Sequence, residues 1–132
     1  MLDTVKWTPR VLAILRIMTA LLFLEHATMK FLQFPAAIPG VSYPLPAIMI
    51  VAGTIEVITA LLMFVGFYTR LAAFIASGEM AAAYFMAHAS QGFWPALNFG
   101  EPAILFCFIF LYLALAGGGA WALENARRPA MA

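Results

Sequence analysis

Between Arg16 and Lys30 an apolar run, Ile17-Met18-Thr19-Ala20-Leu21-Leu22-Phe23-Leu24, is closed by Glu25-His26-Ala27-Thr28-Met29-Lys30. A stretch greasy enough to enter a bilayer therefore carries four ionisable side chains, Arg16, Glu25, His26 and Lys30. At the centre of a membrane helix an Arg, Lys or Asp costs roughly 2.5–3.5 kcal/mol, while a Leu, Ile or Phe returns only about 0.3–0.6 kcal/mol. Such a helix is marginal alone. It requires neighbours with matching polar groups, and intramembrane ionisable residues of this kind usually carry function.

The rest of the chain has the character to supply those neighbours. Of 132 residues, 65% are hydrophobic, too many for a soluble globule of this size. The reading is an all-α integral membrane protein. A net charge of +1 with scattered cations gives no footprint for nucleic acid. The one cysteine, Cys107, excludes an internal disulfide, a cysteine zinc site and a dithiol relay within one subunit. Lys6 and Arg10 ahead of an apolar run resemble a signal peptide, but Glu25-His26 stands where a small-residue cleavage site belongs, so an uncleaved span is expected.

Four apolar stretches, 11–34, 45–68, 71–89 and 102–116, stand against the roughly 20 residues a spanning helix needs. The fourth is short, and would begin earlier through Phe93-Trp94 or run on past Gly117-Gly118-Gly119 if it is to span without thinning the bilayer. The prolines and glycine of Pro35–Pro44 forbid a continuous helix between the first two. Gly66–Arg70 is a tight connection that makes the second and third spans antiparallel neighbours. Lys6, Arg10, Arg70, Arg127 and Arg128 lie outside the spans, and the other two loops carry no Lys or Arg. The positive-inside rule then predicts a single-domain four-helix bundle with both termini and the Arg70 turn in the cytoplasm.

On this topology Glu25, His26 and Lys30 fall toward the outer side, with His88, Asn98 and Glu101 at the outer ends of the third and fourth spans. Glu56 and Glu79 fall near mid-depth, and Arg16 lies about two turns in from the cytoplasmic end. Gly53, Glu56 and Ala60 share one helix face, and Ala72, Ala76, Glu79, Ala83 and Met86 another. Small residues beside a carboxylate let helices approach closely, so both acids are read as facing the interior.

Each group has two readings. Glu56 and Glu79 are proton-holding groups, or structural partners of a cation such as Arg16. His26 and His88 are donors to a quinone carbonyl or proton carriers, or satisfied interior and interfacial histidines. Glu101 is a ligand group, or an N-terminal cap beside Pro102. No Glu-x-x-His pair of the kind ferritin-like bundles use is present, so no metal centre is expected.

Taken together, the chain resembles the DoxX family of small four-helix bacterial membrane proteins. The resemblance rests on Arg16 with Leu21–Leu24, His26 and Lys30-Phe31; on Gly53-x-x-Glu56 before Leu61-Leu62; and on Gly66-x-x-Thr69-Arg70-Leu71-Ala72-Ala73. Asn98-Phe99-Gly100-Glu101 and Gly117–Glu124 complete it, in order over nearly the whole chain. Phe99 departs from the family's Asn-Gly-Gly-Glu, the closing segment lacks the family's Pro and Ser, and Glu25 and Glu79 match no family motif. The resemblance implies a protein of the bacterial cytoplasmic membrane, in a family whose founding members are the small subunit of a thiosulfate:quinone oxidoreductase.

The leading expectation is therefore an accessory subunit of a membrane oxidoreductase. Glu25, His26, Lys30, Glu56, His88, Asn98 and Glu101 would line a polar pocket, above a buried proton layer of Arg16, Glu56 and Glu79. No intrinsic cofactor is expected; quinone is the ligand class, and the partners are the bilayer, an oxidoreductase subunit or a second copy. A small proton-coupled transporter and a purely structural or assembly subunit are the alternatives. An independently acting enzyme is disfavoured, because no activated nucleophile, phosphate-cradling glycine loop or cysteine pair is present.

Overall fold

The computed structural model describes residues 3–127, which are helical and loop segments without a strand among them. Arg128, one of the two C-terminal cations used in the orientation argument, lies outside the described residues. The long elements are α1 (Thr4–Leu32), α2 (Ala47–Val65), α3 (Thr69–Ala83) and α5 (Glu101–Ala116), with a short α4 (Pro95–Asn98) between the last two. Helix α3 continues through a π turn over Tyr84–His88 into a 3-10 turn over Ala89–Gln91.

Local chemistry explains each boundary. Asp3 caps α1 by accepting a hydrogen bond from the Lys6 amide at 3.2 Å, so the helix starts before the apolar run does. Pro9 lacks the N–H to bond backwards, yet its carbonyl accepts from the Ala120 amide at 2.8 Å, tying the C-terminal segment to α1. Gln33 in the left-handed region ends α1 two residues before Pro35. Gly66, at φ 73°, ends α2, and a Cβ there would stand 2.6 Å from the Ala122 backbone. The fourth apolar stretch takes neither anticipated extension: Gly117 stops α5, and Phe93-Trp94 lead into the separate α4.

Helix α1 packs on α2, α2 on α3, and α3 on α5, and the connection at Gly66–Tyr68 makes α2 and α3 antiparallel neighbours as expected. The core between them is built largely from small residues, Ala20, Ala60, Ala72, Ala73 and Ala76, with Phe23, Met63, Phe110 and Leu113 filling the wider gaps. Phe23 meets Phe110 edge-on at 4.7 Å and closes the space between α1 and α5. A Cβ on Gly53 would stand 2.7 Å from the Phe31 ring, so only glycine allows α1 and α2 this approach.

The outside is apolar. Leu22, Ile58, Phe74, Phe85, Phe108 and Leu115 are exposed on different helices, the reverse of a water-soluble surface. Among the described residues, α1 and α2 are long and apolar enough to cross a membrane, and α5 is a shorter apolar helix.

Candidate functional site

The densest polar chemistry lies between α1, α2 and α3. Lys30 Nζ donates to both carboxylate oxygens of Glu56, at 2.6 and 2.7 Å, and Glu56 is 2% exposed. Lys30 reaches it by laying its stem along Gly53, whose missing Cβ would have met Lys30 Cδ at 3.2 Å. Glu79 of α3 lies near this pair. Both Glu79 carboxyl oxygens are buried without a hydrogen-bond partner. Three helices thus supply a buried ion pair and, near it, an acid whose two oxygens are buried without a partner.

Glu56 precedes the end of α2 by nine residues and Glu79 follows the start of α3 by ten. At 1.5 Å per residue both rise about 14–15 Å from the turn that joins these helices. The placement of the two acids at one level, facing inward, agrees with their helical phase.

Arg16 has a different task from the one its charge suggested. It is fully buried and donates from Nη1 to the carbonyls of Met63 and Phe64, from Nε to Gly118 at 2.8 Å, and from Nη2 to Trp121 at 3.4 Å. Its guanidinium therefore satisfies the carbonyl end of α2 and pins the C-terminal segment against it. Arg16 does not join Glu56 and Glu79 in one layer; it lies at the C-terminal end of α2, about 14 Å from them along the helix. Arg70 does the same for α5, donating to the carbonyls of Ala114 at 3.2 Å and of Leu115. Glu124 accepts from the Thr69 amide at 3.3 Å, so the Thr69-Arg70 and Gly117–Glu124 motifs close one structural seam.

Because Arg16 sits level with the C-terminal end of α2, Glu25 and His26, nine and ten residues further along α1, stand about 14–15 Å from that end. They share the level of Glu56 and Glu79 and do not lie above it, contrary to the expected outer grouping. Both are exposed. The His26 ring packs edge-on against Phe106 of α5 at 5.6 Å.

At the far end, His88 Nδ1 lies 2.9 Å from the Asn98 carbonyl oxygen. Asn98 is buried; its side chain donates to the Gly92 carbonyl at 2.8 Å and accepts from the Gly100 amide at 2.8 Å. The Asn98–Gly100 box is thereby a loop staple, and a Cβ on Gly100 would clash with the Tyr84 ring. Glu101 is exposed in the first turn of α5. Of the seven residues expected around one pocket, the structure joins Lys30 to Glu56 and His88 to Asn98, and holds Glu25, His26 and Glu101 apart from both. A shallow hollow of about 380 Å³ beside this end is lined by Tyr84, Phe85, Phe93 and Trp94 and by none of the seven.

Sequence reasoning missed the Lys30–Glu56 partnership, although Gly53 three residues before Glu56 was the available signal. It also missed Tyr84 and the Ser77 hydroxyl, which donates to the Cys107 carbonyl at 2.8 Å. No group of three His, Cys, Asp or Glu suited to a metal ion occurs among the described residues.

The DoxX family model matches residues 11–89, which carry Arg16 and the whole Lys30–Glu56–Glu79 cluster. A protein of Haemophilus influenzae, described as uncharacterized, is 46% identical over 127 residues, covering 91% of this chain and 92% of its own. No solved structure matches the chain. A family match over more than half of the chain, a relative similar along nearly its full length, and a helical scaffold with an apolar exterior lead to one conclusion: the chain belongs to the DoxX family and is a membrane protein.

Proposed function

We propose that this chain is a multi-pass protein of the bacterial cytoplasmic membrane and an accessory subunit of a quinone-linked oxidoreductase system. In this reading α1, α2, α5, and α3 with its π turn, form a four-helix bundle with both termini in the cytoplasm. Lys30, Glu56 and Glu79 then form a proton-holding centre at mid-membrane.

The observation that carries the reading is Glu79, a carboxyl group sealed from solvent with neither oxygen partnered, beside a carboxylate already neutralised by Lys30. An anion held there would lack any direct hydrogen bond, and in the protonated form the carboxyl carries an O–H donor that no group uses. Lys30 has three N–H groups and places two on Glu56, leaving one more. These are the donors a quinone headgroup requires, since a quinone supplies two carbonyl oxygens that accept hydrogen bonds and take up protons on reduction. When the partner oxidoreductase delivers the two electrons, Glu79 would give one of the two protons the quinone takes up, the other coming from solvent, and the Lys30 ammonium would stabilise the carboxylate left behind.

A titration of a lipid-soluble quinone against the full chain in vesicles tests this. Saturable binding, weakened in Glu79→Gln and in Glu56→Gln, is expected. Binding absent from the folded wild-type chain, or unchanged in both variants, overturns the quinone-linked reading. A structural or assembly role would then stand, which Arg16, Arg70 and Asn98 favour because all three are committed to backbone groups.

A further inference from the structure

Helix α1 presents two faces. Ala13, Arg16, Phe23, Ala27 and Lys30 face the core. The opposite face is an exposed apolar stripe through Val11, Ile14, Met18, Leu21 and Leu22, and Glu25 is exposed within it. At about 100° per residue, Met18 lies at the centre of that stripe and Glu25 about 20° to one side. His26 lies about 80° to the other side, at its edge. The level of Glu25 matches that of the interior acids, so in a bilayer this carboxyl would look into hydrocarbon near mid-depth. No polar group of the same subunit bonds to its side chain among the described residues. The stripe is therefore incomplete as a lipid-facing surface.

We propose that a second copy of this chain covers the stripe, with α1 packed against α1 about a two-fold axis along the membrane normal, and that Glu25 of each copy pairs with His26 of the other. The inference rests on the membrane-spanning reading above. Its motive is the complementarity of an acid and a base that share no hydrogen bond or ion pair within one subunit among the described residues. Within one helix Glu25 leans away from His26, to the opposite side of the stripe. A two-fold rotation carries the partner's His26 to the side toward which Glu25 leans. Acid and base then meet across the interface twice, at one level, and both leave the lipid.

The test uses the full chain in lipid vesicles, with Met18→Cys in a Cys107→Ala background, because Met18 lies nearest the two-fold axis. Oxidation should trap a covalent dimer over a wide range of lipid dilution, whereas Phe74→Cys on the exposed side of α3 should remain monomeric. Glu25→His alone and His26→Glu alone should each lower the trapped fraction several-fold, and the two together, which exchange acid and base, should restore it. Met18→Trp, a surface change that leaves the core untouched, should also block association in single-molecule photobleaching of the labelled chain. A monomer at every dilution overturns the proposal, as does failure of the exchanged pair to recover what the single variants lost. Cross-linking to a different chain in cells, in place of the dimer, overturns it too. Labelling of Glu25→Cys by a membrane-impermeant thiol reagent would instead overturn the membrane-spanning reading itself; protection of that residue in a chain that remains monomeric overturns the dimer alone.

Discussion

Lys30 shows how far a single side chain can move chemistry from where its backbone stands. Its Cα is near the end of α1, yet its ammonium lies with Glu56, a full turn or more deeper. Breaking a buried pair by removing one partner leaves an uncompensated charge, at a cost of about 3–5 kcal/mol. Lys30→Met should therefore destabilise the folded chain by about that much in a reversible detergent unfolding assay, and Lys30→Met with Glu56→Met by less than the sum of the two single losses. Glu79 is the opposite case. With no partner to lose, Glu79→Leu should leave stability unchanged or raise it by about 1–2 kcal/mol in the same assay. A large destabilisation would mean that Glu79 is tied into the fold by bonds other than those seen. The helical phase of Glu56 and Glu79 was legible in the sequence because small residues flank both; the identity of their cation was not, because a flexible four-carbon stem gives no directional signal.

At the scale of elements, the cations near the helix ends act as caps. Arg16 joins the end of α2 to the segment after α5, and Arg70 closes α5 itself. Both tasks need a planar fork that reaches several carbonyls at once, which an ammonium cannot reproduce. Arg16→Lys should lose about 2–4 kcal/mol, the equivalent of one or two charged hydrogen bonds, and should loosen residues 117–122 to amide hydrogen exchange before the core opens. Recovery of wild-type exchange in the lysine variant would show that charge alone suffices. The same elements explain two differences from expectation. Arg16 leaves the acids to Lys30 because the carbonyls of Met63 and Phe64 lie closer to its guanidinium, and the fourth apolar stretch stays short because Gly117 turns the chain toward Arg70. The sequence carries both arginines plainly, but a carbonyl acceptor belongs to every residue type and leaves no mark in it.

For the whole molecule, the distribution of Lys and Arg predicts a definite outcome. Cysteines placed at Ala36 or Ser90 should react with an impermeant reagent from outside intact cells, and one placed at Lys6 or Asn125 should react only after the inner membrane is opened. Reversal of that pattern would invert the proposed orientation. What the sequence by itself determined is the helical class, the inward phase of Glu56 and Glu79, the antiparallel α2–α3 connection and the family, because hydrophobic period, turn residues and ordered motifs are all local properties of a chain. Only the tertiary structure decided that Lys30, not Arg16, answers Glu56, that Glu79 is left unpartnered, and that Glu25 and His26 stand exposed at the same level. Those outcomes depend on the relative heights at which helices dock. Here that height is set by a guanidinium on backbone carbonyls and by one glycine under an aromatic ring, contacts between residues far apart in the chain.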